Sequence, residues 1–394
     1  MSNATVPTQN MQGIEVPQAN VDARSFFKMT RRLTFQQKGG TYAGLGMTDN
    51  VPILQTGIVS QLSLKVSGSA IVTLNGGTVA STARWPYDLV RATRLSANGQ
   101  SNLINVSGTK LRAREMMARG DLSDKGVVQG IGGASPGTSR QQGSLSYASE
   151  SWGIGQNVSA IPGATYAFEL AWTIPVAFDQ VTLLGAIFAQ TSATDLNLAI
   201  DWAPLTDLFV LTGSATVTIA LTYVVTGTVY TIPGDGKGGV IVPDLSSFHS
   251  LIQTRYTALA NGDNEIRLSG QGVGRSLLRT YWQLFNGATG VPLPINATNF
   301  GQIGWRFGGN DTPEVISDGQ HKRYFDERLF NSDLGAYQGF TCWDFASENA
   351  LRDAVDEGLA SELRLLINVA SGVTLTNPVL EYVQETVFAG ATGA

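Results

Sequence analysis

The chain has 394 residues, a formal net charge of −5, 45 glycines and only 14% charged residues. The acidic balance excludes a protein whose main partner is nucleic acid, because counterion release at phosphates needs clustered Lys and Arg. A single cysteine, Cys342, excludes both an intrachain disulfide and a thiolate zinc site. The charge fraction lies well below the roughly one quarter of an average domain, which points to a large surface buried against other subunits.

Residues Met1 to about Arg24 are rich in Asn, Gln, Thr and Pro, and read as an arm that cannot fold alone. They lack the apolar stretch of a secretory signal, so synthesis in a cytoplasm is expected. Arg24, Lys28, Arg31 and Arg32 follow, interleaved with Phe26, Phe27 and Met29. Such a segment fits contact with lipid headgroups or acidic neighbours, or simply leads into a first strand at Leu33–Gln37. No run reaches the roughly 18 apolar residues of a membrane span.

Ile58–Val72 alternates, with Leu62, Leu64 and Val66 on one face and Gln61, Ser63 and Lys65 on the other, as a half-buried strand does. Leu89–Ala97 predicts a strand ending at the turn signal Asn98-Gly99. Thr109–Arg119 is composed of helix formers and stops at Gly120, while Gly130–Gly143 is too rich in Gly, Ser and Pro for regular structure. Tyr166–Ile174 places Phe168, Leu170, Trp172 and Ile174 on one side of a further strand. Pro233–Gly239 (PGDGKGG) is the best linker candidate. Beyond it, strands are predicted at Glu265–Ser269, Leu277–Phe285, Gly339–Phe345, Leu363–Val369 and Val379–Phe388. A helix is predicted over Glu348–Gly358, with Ser347 as its N-cap and an Arg352–Asp356 pair.

Short motifs carry little chemistry. Gly133-Ala134-Ser135-Pro136-Gly137 matches G-x-S-x-G but lacks the strand and helix that a nucleophile elbow requires. The two histidines, His249 and His321, have no metal-site spacing. Gly234–Gly238 lacks the Lys-Ser/Thr ending of a phosphate loop, and Asp353, Asp356 and Glu357 read as a solvated helix face. Asn261–Glu265 lacks EF-hand spacing and reads as a turn before a strand. Trp172 and Trp202 stand in phase with aliphatic faces, as core residues rather than sugar platforms, and Cys342 reads as a small buried apolar residue.

The two halves repeat one pattern. Asp195–Ala203 aligns with Glu362–Ala370, setting Leu196, Leu198, Ile200 and Trp202 opposite Leu363, Leu365, Ile367 and Val369. Leu221–Val224 aligns with Leu380–Val383, and Val90–Gly99 with Leu278–Gly287. Shared period-2 phase means that equivalent faces are buried, so a duplicated β-sandwich is expected.

Three blocks, Gly57–Val72, Trp85–Leu95 and Tyr166–Pro204, resemble the double jelly-roll major capsid proteins of tectiviruses, the membrane-containing tailless phages. The third has an aromatic-rich strand ending in Ile174-Pro175, then Asp179–Ala189 as a short helix, then the strand Leu196–Trp202. Arg275–Phe285, Lys322–Leu329 and Gly339–Phe345 are similar in the second half.

The resemblance implies an all-β fold of two tandem eight-stranded jelly-roll β-sandwiches, with a few short helices in the loops and an extended N-terminal arm. The corresponding division is an arm over 1–32, a first roll over 33–232, a linker over 233–239 and a second roll over 240–394. It further implies a structural protein of the virion, with no catalytic residue, metal or cofactor. Homotrimers would form pseudo-hexagonal capsomers that tile an icosahedral shell around an internal membrane. Partners would be neighbouring capsomers, other capsid proteins and, peripherally, that membrane through Arg24, Lys28, Arg31 and Arg32, with no direct nucleic acid. The helices Thr109–Arg119 and Glu348–Gly358 are candidates for the trimer flanks or base. A carbohydrate-binding β-sandwich spike or adhesin is the alternative, and a jelly-roll hydrolase a third class.

Overall fold

Pairing of alternating strands builds the molecule from two equivalent halves. The computed structural model describes residues 23–97, 100–119, 127–128, 160–190, 195–234, 239–268, 274–287, 290–308, 311–330, 335, 339–346, 354–357 and 362–389. In the first half one sheet runs β1 (Arg32–Thr41), β12 (Thr216–Tyr230), β3 (Ile58–Thr73), β8 (Thr165–Pro175). The opposing strands are β2 (Thr48–Pro52), β10 (Leu196–Trp202), β5 (Val90–Ala97) and β6 (Gln100–Val106), in that order. In the second half the matching orders are β13 (Ser247–Tyr256), β22 (Val379–Ala389), β15 (Arg275–Asn286), β19 (Phe340–Asp344), and β14 (Gly262–Arg267), β21 (Arg364–Val369), β17 (Phe300–Phe307), β18 (Asp311–Ile316). Each half is therefore an eight-stranded antiparallel jelly roll, and the strand order of one is the strand order of the other.

The accessory strands repeat as well. β9 (Ile187–Phe188) pairs with the start of β3, as β20 (Val355–Asp356) pairs with the start of β15. Just past those pairings each long strand bulges, at Ser60 and at Leu278. The bulged carbonyls take equivalent hydrogen bonds, Ala177 N–H to Ser60 O and Phe345 N–H to Leu278 O, both 2.8 Å. Four short strands decorate this frame: β4 (Val79–Ser81) pairs with β11 (Phe209–Leu211), β7 (Val127–Val128) edges β8, and β16 (Val291–Pro292) edges β15.

The predicted faces are those that build the cores. Leu196, Leu198, Ile200 and Trp202 are buried in the first core, and Leu363, Leu365, Ile367 and Val369 in the second. Two of the three sequence matches therefore join equivalent strands, β10 with β21 and β12 with β22. The bulge equivalence slides the second of these by two residues, setting Tyr223 opposite Leu380 and leaving the face unchanged. The third match is wrong: Val90–Gly99 supplies β5, which pairs with β10, whereas Leu278–Gly287 falls in β15, which pairs with β22. The true counterpart of β5 is β17, and that of β15 is β3. A strand-then-turn pattern recurs too often in such a chain to identify one strand.

The helices are α1 (Ala23–Met29), α2 (Gly108–Arg119), α3 (Leu205–Leu208) and α4 (Gly319–Phe330). α2 is where its composition placed it, and it lies between the rolls. α1 interrupts the expected arm, and Phe26 on it is fully buried with Ile58, Leu183 and Tyr230. Asp179–Ala189 is not a helix. Asp179 instead caps a turn, accepting from the backbone N–H of Val181 and Thr182, and β9 follows. The predicted helix Glu348–Gly358 lies mostly outside the described residues, and its Val355-Asp356 segment is strand β20. Gly130–Gly143, Ser135, Asn98-Gly99 and Asp353 also lie outside them. Of the linker, Gly234 forms a β-bridge with Val240, and residues 235–238 are not described.

Candidate assembly interface

The two rolls are fused through a sheet edge and a buried charge network. β6 of the first roll pairs in parallel with β13 of the second, at Leu251–Ile104 and Ile252–Asn105, which makes one continuous ten-stranded sheet. On β22, Leu380 and Tyr382 point into the second core, so Glu381, Val383, Glu385 and Val387 line the opposite face. In an isolated roll that face would meet water. Here the first roll covers it, and Glu381 and Glu385 are both 0% exposed.

α2 and the turn before Leu89 supply the opposing cations. Arg84 NH2 reaches Glu381 Oε1 at 2.6 Å, and Lys110 Nζ lies 3.4 Å from Glu381 Oε2. Arg255 Nε approaches Glu381 Oε1 at 3.0 Å, and Gln253 Nε2 donates to Oε2 at 3.2 Å. Lys110 Nζ also donates to Gln283 Oε1 at 2.6 Å, and lies 4.8 and 4.7 Å from the ring centres of Phe285 and Phe340. Asp88 completes the group, taking Arg84 NH1 at 2.9 Å and the Thr109 N–H at 3.1 Å.

Four residues along β22, Glu385 anchors a second cluster. Arg114 pairs with it through Nε at 3.0 Å and also through its NH2 group. His249 Nε2 lies 3.0 Å from the same carboxylate oxygen, while His249 Nδ1 lies 3.0 Å from the carbonyl of Pro175. The His249 ring thereby bridges the Glu385 carboxylate and the Pro175 carbonyl.

Burial and pairing oppose each other here, and pairing wins for the carboxylates. Burial alone would raise Glu381, yet Lys110, Arg84 and Arg255 hold it down to about 2. Glu385 is held well below the usual carboxylate range by Arg114 and His249 against the same burial. For Lys110 burial dominates, and its ammonium is pulled down to about 8 despite Glu381. Such a network fixes the orientation of one roll on the other, since each charge is costly unless its partner from the other roll is in place.

The sequence candidates fall elsewhere. Lys28, Arg31 and Arg32 are exposed beside the start of β1, and Arg24 lies on α1. His249 is in the junction, whereas His321 is exposed on α4, so the two histidines do not meet. Asn264 holds the turn before β14, accepting the Ala260 N–H at 3.0 Å and donating to Ala260 O at 2.8 Å. Cys342 is buried in β19. Glu357 is not on a solvated helix face: it is 3% exposed, and neither of its carboxylate oxygens has a hydrogen-bond partner. Among the described residues no group of three His, Cys, Asp or Glu could hold a metal, and no helix is long and apolar enough to cross a membrane.

Sequence reading missed the junction. Its signal was two four-residue spacings, Lys110 with Arg114 on a helix and Glu381 with Glu385 inside an apolar strand, each pair sharing one face.

No known protein family matches the sequence, and no curated protein does. Solved structures do. The crystal structure of the STIV MCP has a TM-score of 0.63 at 13% identity, covering 91% of this chain and 97% of that one. A chain from the atomic structure of Sulfolobus Turreted Icosahedral Virus has a TM-score of 0.61 at 12% identity, covering 92% and 91%. The Faustovirus major capsid protein has a TM-score of 0.52 at 8% identity, covering 92% and 91%. The class defined by the fold is thus the double jelly roll, and these viral proteins share it over nearly the whole chain.

Proposed function

We propose that this chain is the major capsid protein of an icosahedral, membrane-containing virus. The observation that carries this reading is the fusion of two equivalent, complete jelly rolls across a sealed junction, in the fold shared with viral capsid proteins. Such a block works by the shape of its surfaces rather than by chemistry. In this reading residues 23–232, with α1 anchored by Phe26, and 240–394 are the two rolls, joined by 233–239. Three copies form a pseudo-hexagonal capsomer that tiles the shell. The blocks Gly57–Val72, Trp85–Leu95 and Tyr166–Pro204 favour a tectivirus-like phage within that class. Residues 1–22, together with exposed Lys28, Arg31 and Arg32 beside them, are the segment offered to the internal membrane or to neighbouring capsid proteins.

A carbohydrate-binding spike would need an exposed aromatic platform. Trp85, Trp172, Trp202, Trp282, Trp305 and Trp343 are all buried, Trp152 lies outside the described residues, and the exposed large aromatics among the described residues are Tyr324 and Phe325 of α4. Light scattering on the purified chain, with electron microscopy of particles that contain it, tests the proposal. Trimers and shells are expected. A stable monomer at micromolar concentration, unchanged by salt or cooling, overturns it.

A further inference from the structure

α2 and α4 are equivalent helices with unequal surroundings. Each has 12 residues, begins with glycine and follows the equivalent strand, β6 or β18. α2 packs on β5 and β8 of its own roll, and α4 on β17 and β19, which are the counterparts of those strands; α4 also touches β18 and α2, with Phe330 against the first core. The other side of α2 then covers the outer face of the second roll's sheet, its third and seventh residues, Lys110 and Arg114, meeting Glu381 and Glu385. In α4 the third and seventh residues are His321 and Phe325. Both are exposed, and their rings lie 5.6 Å apart.

α4 is turned inside out for a surface helix. Beyond Gly319, its buried residues are Lys322 and Asp326, tied to each other, to Cys342 O and to the Thr341 hydroxyl. Its exposed side carries Tyr324, Phe325 and Leu329, at 53, 55 and 54% exposure, beside His321, Glu327 and Arg328. Phe325 and Leu329 also border a groove of about 640 Å³ that reaches Val315, Ile316 and Trp343. Apolar side chains placed outward over a polar underside are the mark of a face that is covered in the working assembly.

The surface that would cover it is the counterpart of the face α2 covers. That counterpart is the outer face of β12 and β3 in the first roll, where Thr218, Ala220 and Thr222 are exposed and Val224 is partly so. The bulge equivalence of Ser60 with Leu278 sets Val224 at the position of Glu381 and Lys65 at that of Gln283. Small side chains flatten this surface so that a helix can approach it, with the exposed Lys65–Glu169 pair, 3.1 Å apart, lying across the strand from Val224.

We propose that α4 of one copy docks on the outer face of β12 and β3 of a second copy, with His321 and Phe325 beside Val224. The contact repeats between copies the arrangement that α2 makes within one. It rests on the capsomer reading above, and supplies that reading's contact surface. The change of chemistry follows from the change of setting. The internal junction is never parted from its counter-charges, whereas surfaces that meet after folding would have to strip water from every charge they bury. Aromatic anchors avoid that cost. The contact is head-to-tail, so it closes a ring or continues as an open chain.

Full-length Phe325→Glu and Val224→Arg test the two sides independently, since both positions are away from the cores. Each is expected to keep the wild-type circular dichroism and to weaken self-association about tenfold or more by sedimentation. In a His321→Cys/Val224→Cys chain a short bis-maleimide is expected to link separate copies, with little background from buried Cys342. A wild-type trimer that both variants leave intact and the reagent does not link overturns the docking while sparing the capsomer reading. An oligomer that both variants dissolve, but that is not a trimer, upholds the docking and overturns the capsomer stoichiometry. A wild-type chain that never self-associates overturns both.

Discussion

Lys110 and Glu381 come from different rolls, are both fully buried, and lie 3.4 Å apart in the charge network of the junction. Glu381 is the hub of that network, facing Lys110, Arg84 and Arg255. Glu381→Gln leaves those cations facing a neutral amide, and is expected to cost about 3–5 kcal/mol in denaturant unfolding. Lys110→Met is expected to cost much less. Glu381 then keeps both arginines, and the burial penalty of the ammonium is removed. Equal losses for the two variants would mean that the hub is not Glu381.

Acid should loosen the junction in a defined window. The Glu381 carboxyl is near 4.5 when unfolded and about 2 in the folded chain, so the folded state binds this proton less readily. Its contribution to stability is complete above about 4.5 and is lost as the pH falls through about 2. Glu385 shifts in the same direction. Thermal unfolding followed from pH 6 downward is expected to show a decline in melting temperature that begins near 4.5, and that decline is expected to shrink in Glu381→Gln.

Glu357 works in the opposite sense. Burial pushes its carboxyl up to about 7, with Arg275 opposing the rise only in part. A raised carboxylate stabilises the fold least when both states are ionised, so stability from this group is full below 4.5 and lost as the pH rises through 7. Glu357→Gln is expected to raise stability at pH 8 by about 1–3 kcal/mol, because it removes a buried charge without a hydrogen-bond partner. No gain at pH 8, or an equal gain at pH 4, would refute that account.

The parts of this fold legible in the sequence are those governed by period-2 alternation. Leu62, Leu64 and Val66, and the four apolar residues of β10 and of β21, could be set on faces because a strand buried on one side must alternate. α4 escaped notice because its inward residues are Lys322 and Asp326, so no apolar stripe marks the side facing the core. The junction escaped for a related reason. Alternation sets Glu381 and Glu385 on the face of β22 away from the second core, and only the packing of the first roll against that face makes it interior. The Asp179–Ala189 helix came with the family resemblance and not from a pattern of these residues; here the Asp179 carboxylate caps a turn, and the chain then pairs with β3.

The first residues of α2 and α4 should tolerate no side chain. A Cβ on Gly108 would lie 2.1 Å from the carbonyl of Tyr87, and one on Gly319 would lie 2.5 Å from that of Asn296. Both obstacles are backbone, which cannot swing aside. Gly108 O also takes the Trp172 indole N–H at 3.0 Å, so a shift of the helix start would strip a buried tryptophan of its partner. Each Gly→Ala change is expected to cost about 2 kcal/mol or more in denaturant unfolding, within the range for overpacked cores. Loss below 0.5 kcal/mol in both would mean that the helix starts are looser than their contacts require.

Truncation should separate the arm from the fold. Phe26 packs with Ile58 and Tyr230, its ring centre 6.2 Å from that of Tyr230, and the Thr30 hydroxyl donates to Thr231 O at 2.5 Å. The chain from Ala23 onward therefore belongs to the first roll, whereas residues 1–22 are proposed to serve assembly or the membrane. Removing 1–22 is expected to leave melting temperature and oligomer mass unchanged while lowering the yield of particles or their lipid content. Phe26→Ala in the full chain is expected to destabilise the fold by about 3 kcal/mol, the loss typical of a buried phenylalanine. If removal of 1–22 lowers the melting temperature as much as Phe26→Ala does, the arm is part of the folded roll. If it leaves particle yield and lipid content untouched, the arm has no part in assembly, and the basic residues Lys28, Arg31 and Arg32 must be tested by themselves.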